Sequence, residues 1–201
     1  MLDTALGESQ RMGTLIGDFL TLSKLEANTV RSQLESTSLQ ESLSLVLGSF
    51  KKRNLSQDLP QIIVDLPADL PLVQAEREGM AEIFSKLLDN ACKFTPPEGK
   101  ITISAQIYQQ QTESASINSE LSNMLEVIIK DTGRGIEANQ LERVFQCFYQ
   151  EENFLQRTIG GTGLGLAICR QIIQKLGGKI WAVSNGKNQG SEFHFTLPIS
   201  A

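Results

Sequence analysis

Residues 84–94 read FSKLLDNACKF. Phe84, Leu87, Leu88 and Ala91 recur at three- and four-residue steps, which predicts a helix that packs one apolar stripe on a core. Lys86, Asn90 and Lys93, at i, i+4 and i+7, form a second stripe that is wholly polar. A surface helix can carry such residues idly, whereas a nucleotide site uses them. The helical pattern runs from Glu76 to Phe94 and is stopped by Thr95-Pro96-Pro97, because proline clashes with a continuing turn.

Working outward, residues 1–28 form another helix pattern. Leu2, Leu6, Met12, Leu15, Ile16, Phe19, Leu20, Leu22 and Leu25 lie close to a heptad seam, a narrow stripe that meets another helix. A polar connector from Asn28 to Ser38 follows, with a short strand around Gln33 to Glu35. Gln40 to Lys52 reads as a second amphipathic helix. Gln61 to Leu66 and Pro71 to Gln74 read as short strands set off by prolines. After the Glu76–Phe94 helix, Lys100 to Tyr108 alternates in polarity as a half-buried strand, and Met124 to Lys130 (MLEVIIK) reads as a buried one. The polar stretch between them, Gln109 to Asn123, is a hairpin connection. Helical signals return at Glu137 to Phe145, and Gln150 to Gly161 is expected to be a mobile loop. Gly163 to Leu176 is a helix closed by Gly177-Gly178, and Lys179 to Ser184 and Glu192 to Pro198 are final strands. Strands grouped with helices, rather than strictly alternating, imply an α+β fold: a mixed, mostly antiparallel sheet with helices on one face.

Composition narrows the function. The 201 residues are 40% hydrophobic and 20% charged, enough to bury a core. A net charge of −5 gives no electrostatic case for nucleic acid or an anionic membrane. No apolar run reaches the ~18 residues that span a bilayer, and no signal peptide follows Met1. Cys92, Cys147 and Cys169 have no CxxC spacing and read as free thiols. Together these features predict a cytoplasmic chain, or the cytoplasmic part of something larger.

Two further constellations carry chemistry. Asp131-Thr132-Gly133-Arg134-Gly135-Ile136 follows the strand MLEVIIK and sets a carboxylate at the sheet edge beside a tight turn. That carboxylate can accept from an exocyclic amine such as adenine N6, or it can merely cap the turn. Gly160-Gly161-Thr162-Gly163-Leu164-Gly165 leads straight into the apolar helix LGLAICRQII. Glycines there let several N–H groups converge beside the positive end of a helix dipole, an arrangement suited to phosphate. Glycines also permit close helix–sheet packing. No GK[ST] follows, so this is not a Walker loop.

With all the motifs in order, the chain resembles the catalytic, ATP-binding domain of a sensor histidine kinase, within the GHKL superfamily. LLDNACKFTP is similar to the N box, DTGRGI to the G1 box, FQCFYQ to the F box and GGTGLGLAI to the G2 box. The resemblance implies a two-layer α/β sandwich over residues 29–201, the Bergerat fold. It also implies that residues 1–28 are the second helix of a dimerisation hairpin, one long helix ahead of that fold. Asn90 is then expected to hold Mg2+, Lys93 to neutralise phosphate, and Phe94 to pack near the base. Asp131 is expected to read the adenine amine, with Gly133 and Gly135 permitting close approach. Gly161, Thr162, Gly163, Leu164 and Gly165 wrap the phosphates. Phe145 and Phe148 anchor a lid from Tyr149 to Gly160, and Ser191 supports the adenine site.

Two positions depart from the family pattern. Lys86 stands where ATP-hydrolysing relatives carry a Glu base; it is either a phosphate contact or a surface residue, and in both cases it speaks against an ATPase. Glu82, on the same helix, reads as a solvated surface charge. The sole histidine, His194, lies in an alternating strand and does not suit a phosphoacceptor, so the acceptor helix is expected upstream of Met1. The implied cofactors are ATP and Mg2+. The implied partners are the phosphoacceptor helix of the same kinase and a response regulator, with a homodimeric full-length protein that can be membrane-anchored upstream. Nucleic-acid binding is not expected, nor is membrane contact by these residues. A nucleotide-gated interaction module without phosphoryl transfer and a GHKL ATPase are the alternatives.

Overall fold

The computed structural model describes residues 2–27, 34–54, 58–110, 122–150 and 161–200. The hairpin connection expected within Gln109 to Asn123 and the lid expected between Tyr149 and Gly160 lie largely outside them.

Helix α1 (Leu2–Glu26) is followed by strand β1 (Glu35–Thr37), two residues later than expected, and helix α2 (Leu39–Arg53). The Ser38 side chain caps α2 by accepting from Glu41 N–H, and Lys51, Lys52 and Arg53 fill its last turn, where cations suit the dipole. Strands β2 (Gln61–Asp65) and β3 (Val73–Ala75) lead into α3 (Arg77–Phe94). Pro96 excludes a helical Thr95, which is extended, and α3 stops there. Strands β4 (Lys100–Gln110) and β5 (Ser122–Asp131) follow. The helix expected at Glu137 to Phe145 is instead two single 3-10 turns, Ala138–Gln140 and Arg143–Phe145. Helix α4 (Gly165–Lys175) ends where Gly177 and Gly178 N–H groups return to the Gln174 and Ile173 carbonyls. Strands β6 (Ile180–Val183) and β7 (Ser191–Pro198) complete the chain.

The main sheet has the order β2-β4-β5-β7-β6. Only β2 and β4 pair in parallel, which demands a crossover, and α3 supplies it. The remaining pairs are antiparallel. Strands β1 and β3 form a separate ribbon, joined to the sheet through a Val73–Ile199 bridge. The expected mixed, mostly antiparallel sheet is therefore present, with the helices gathered on one face.

That face is the core. Ile101 and Ile103 of β4, Leu125, Val127 and Ile129 of β5, and Phe193, Phe195 and Leu197 of β7 are all buried. Phe84 of α3 meets Phe195 edge-to-face at 6.0 Å, and Phe145 meets Phe193 at 6.1 Å. From α1, Leu22 is buried in the same cluster, with Leu15 and Leu25 packed against it. Met12, Ile16, Phe19 and Leu20, on another face of α1, are each more than half exposed.

The opposite face of the sheet holds a polar network. His194 stacks on Trp181 at 5.1 Å and its Nδ1 lies 2.9 Å from Glu126, whose other oxygen accepts from Gln106. Glu192 pairs with Lys130 at 2.7 Å. The cysteines are free, as expected, with Cys169 buried, Cys92 half-buried and Cys147 exposed.

Replacing Phe84 by Ala removes the side chain that joins α3 to the sheet, and urea denaturation should show a loss of about 3–5 kcal/mol. A pH dependence also follows from the polar face. The Lys130 ammonium, aided by His194 and opposed by partial burial, holds the Glu192 carboxyl below its ordinary value of 4.5. Its contribution is therefore present above that value and is lost as pH falls through the lowered one. Glu192→Gln should flatten the acid limb of a thermal-melt profile between about pH 5 and pH 3.

Candidate functional site

Because the apolar stripe of α3 is fixed against the sheet, its polar stripe is aimed at the start of α4. Lys86 and Lys93 line one side, with Asn90 between them on the same stripe of α3, and the turn Gly161 to Gly165 lines the other. The proximity is close: a Cβ on Gly161 would sit 2.5 Å from Lys93 Nζ, and one on Gly165 would sit 3.5 Å from Lys86 Cδ. Two ammonium groups thus flank a glycine turn at a helix N-terminus, where first-turn N–H groups have no intrahelical acceptor and the dipole is positive. Gly163 has φ +70 and any Cβ there would meet the Phe148 backbone at 2.9 Å. Leu164 is fully buried, so its side chain anchors the turn in the core, and its N–H donates to Thr162 Oγ1 at 3.2 Å.

Across the site, Asp131 ends β5 with 4% exposure. One carboxylate oxygen accepts from Gly133 N–H at 2.8 Å and the other from the Ser191 hydroxyl at 2.5 Å. Both oxygens are oriented before any ligand arrives, and each keeps a lone pair to accept another hydrogen bond. The two glycines of this turn serve the protein's own packing. A Cβ on Gly133 would lie 2.2 Å from the Phe94 carbonyl oxygen, and one on Gly135 (φ +69) would lie 2.0 Å from the Gly186 carbonyl oxygen. The close approach expected of them is thus made by neighbouring backbone. Phe94 carries Arg134 over its ring at 3.9 Å and Lys93 at 4.8 Å.

The segment that resembles the F box clasps the glycine turn. Phe145 is buried and anchors it to the sheet, whereas Phe148 is 63% exposed with φ +63 and donates its N–H to Gly163 O at 2.9 Å. Gln150 reaches the Gly161 carbonyl at 2.7 Å. The stretch from Gln150 to Gly161 thus begins and ends at one clasped point.

A sequence model of the histidine kinase-, DNA gyrase B- and HSP90-like ATPase family matches residues 75–201. The chain belongs to that family. The adaptive-response sensory kinase SasA of Thermosynechococcus vestitus is 35% identical over 199 residues, 97% of this chain and 47% of the relative. The chain thus spans about half of that kinase's length. Among solved structures, the nucleotide-free catalytic domain of histidine kinase ThkA superposes with a TM-score of 0.64 at 26% identity, over 83% of this chain and 96% of that one. Full-length ShkA in complex with AMPPNP shares the fold, with a TM-score of 0.73 at 24% identity over 98% of this chain and 38% of that one.

Among the described residues no group of three or more His, Cys, Asp or Glu is arranged to hold a metal. A metal at Asn90 would therefore complete its shell from phosphate and water oxygens, as Mg2+ does in nucleotide sites.

Several participants escaped sequence reasoning. Ser184 accepts from Ile136 N–H at 3.0 Å and donates to Gly190 O at 2.7 Å, pinning the Asp131 turn to the β6–β7 turn. No local pattern announces it. Asp18 of α1 is more consequential. It is 5% exposed, and its two oxygens accept from Lys86 Nζ at 2.5 Å and from Thr162 Oγ1 at 2.7 Å. Its signal was present: Leu15, Asp18, Leu22 and Leu25 share one seam, and a carboxylate on an apolar seam requires a partner. Glu82 is no idle surface charge either, since it lies 3.5 Å from Lys86. Burial alone would lower the Lys86 pKa, but the Asp18 hydrogen bond and charge, with Glu82, outweigh it and hold the ammonium above its ordinary 10.5.

Ser191→Ala deprives buried Asp131 of one donor. Thermal or urea denaturation should show a loss of about 1–3 kcal/mol, and Ser191→Thr, which keeps the hydroxyl, should recover most of it.

Proposed function

We propose that this chain binds Mg·ATP and presents its γ-phosphoryl group for transfer to a histidine on a dimerisation helix. In this reading it is the catalytic part of a sensor histidine kinase. The observation that carries the reading is the convergence of Lys86 and Lys93 on the glycine turn at α4, with Asn90 between them on the same helix stripe, opposite a pre-oriented Asp131, in a chain of this family. Asp131 would accept from the adenine amine, and Ser191 and Gly133 would hold it in register. Lys93 and the N–H groups at the start of α4 would take the phosphates. Asn90 would hold the Mg2+, whose chemistry is to neutralise charge on the phosphate oxygens. Catalysis of phosphoryl transfer is mostly such positioning and charge stabilisation.

Hydrolysis is disfavoured by the group at position 86. An ammonium held above 10.5 by Asp18 stays protonated at neutral pH and cannot take a proton from water. Nor does the chain's one histidine suit the acceptor role. His194 is stacked on Trp181 and held by Glu126 and Glu192 on the far face of the sheet. The acceptor is therefore supplied by another segment. The exposed face of α1, with Met12, Ile16, Phe19 and Leu20, suits pairing with such a helix and with a second subunit. The phosphoryl group would then pass to a response regulator, in the cytoplasm. No helix of the described residues is long and apolar enough to cross a membrane.

Titration calorimetry should detect Mg-dependent ATP binding that Asp131→Asn weakens at least about tenfold, an effect of 1.4 kcal/mol, with the circular dichroism unchanged. Incubation of the chain alone with γ-labelled ATP should leave it unlabelled. A stable phosphohistidine on this chain, or steady ATP turnover that survives Asn90→Ala, would overturn the reading.

A further inference from the structure

Lys86 and Thr162 belong to different elements of the nucleotide site, yet both are occupied by one carboxylate from a third. Asp18 sits on the buried seam of α1 between Leu15 and Leu22, and splits its oxygens between the ammonium and the hydroxyl. Glu82 adds a second, weaker contact to Lys86 from within α3. The position filled by Asp18 is thus an anion position, walled by a cation, a hydroxyl and the N-terminal end of α4.

We propose that Asp18 is a plug in the phosphate site: its carboxylate and a phosphate of the bound nucleotide compete for Lys86 and Thr162. Docking of α1 and occupation by ATP are then mutually antagonistic. This rests on the nucleotide reading above and adds to it a means by which the helix controls the site. The competition is chemically even-handed. Lys86 exchanges one anionic oxygen for another, and the Thr162 hydroxyl donates in both states. Desolvated Lys86 is never left without a counter-charge, so the exchange avoids the large cost of stranding a buried ion. What changes is Asp18, which phosphate would repel at this distance and which must leave with its helix. The apolar part of the α1 contact is modest, since among the described apolar residues of the seam only Leu22 is buried. Release by a polar exchange is therefore within reach of a ligand's differential affinity. Linkage makes the effect reciprocal: whatever factor α1 docking takes from ATP affinity, ATP takes from docking.

The test uses the whole chain and two routes to the undocked state. Asp18→Asn removes the competing charge at constant size, and Leu22→Ala loosens the same helix without touching the polar cluster. Each should raise Mg·ATP affinity about 5- to 20-fold, within the usual range of coupling between two sites, and should leave adenosine affinity unchanged because adenosine has no phosphate to compete. Hydrogen exchange across residues 15–25 should accelerate on adding ATP to the unmodified chain, and in Asp18→Asn without it. Equal ATP affinity in all three proteins, an affinity gain that extends to adenosine, or α1 exchange indifferent to ATP would overturn the plug while leaving nucleotide binding intact. Absence of ATP binding in every protein would instead overturn the nucleotide reading, and the plug with it.

Discussion

The rotation of α3 about its own axis is the constraint from which the site follows. A helix that buries Phe84, Leu87, Leu88 and Ala91 has no freedom in where it presents the residues between them. With Phe84 set edge-on against Phe195, Lys86 and Lys93 face the start of α4. The glycine turn has to be there because Leu164 is driven into the same core and Ile168, Cys169, Ile172 and Ile173 bury the helix behind it. The polar site is thus a by-product of two apolar packings that meet at a fixed angle. Its precision is that of a close-packed interior rather than of a surface loop.

The opposite wall is built by a different principle, backbone against backbone. The Phe94 carbonyl closes on Gly133, the Gly186 carbonyl on Gly135, and Gly190 packs on the Asp131 carbonyl. Hydrogen bonds follow these approaches: Arg134 N–H reaches Phe94 O, and Gly190 N–H reaches Gly133 O. The end of α3 and the start of the Asp131 turn are therefore a single unit. Phe94, stacked under Arg134 and Lys93, lies at the seam between the glycine-turn side and the carboxylate side. Any side chain at these glycines would separate the two halves before it reached a ligand.

Much of this was legible in the chain, and what was not had a common cause. Period and punctuation located the helices and the strands of the main sheet within a residue or two, because apolar stripes and proline stops are local signals. Lys86 and Lys93, which face the glycine turn, lie on the i, i+7 stripe visible in the sequence. The segment Glu137 to Phe145 misled because its apolar spacing mimics a helix. In the structure, Phe145 must instead reach Phe193 and the chain turns away at Gln146, leaving only single 3-10 turns. Asp18, Ser184 and Gly190 act through partners remote in sequence; Asp18 and Thr162 are 144 residues apart. Pattern reading has no access to such pairs except as anomalies, and a charged residue on the Leu15–Leu25 seam was such an anomaly.

Lys86 and Asp18 are best understood as one choice rather than two. A carboxylate at position 86, as a water-activating base requires, would stand beside Asp18 and within a turn of Glu82. Three carboxylates around one small, mostly buried volume could not all stay ionised. Either the α1 carboxylate or the base would have to go. With lysine at 86, one ammonium stands between two carboxylates, α1 can dock by its seam, and the Thr162 hydroxyl is taken up by Asp18. The lack of a carboxylate base at 86 and the tie between α1 and the start of α4 therefore come from the same side chain. Under the proposed function, that one exchange of charge would both keep the triphosphate from water and couple its binding to a neighbouring helix.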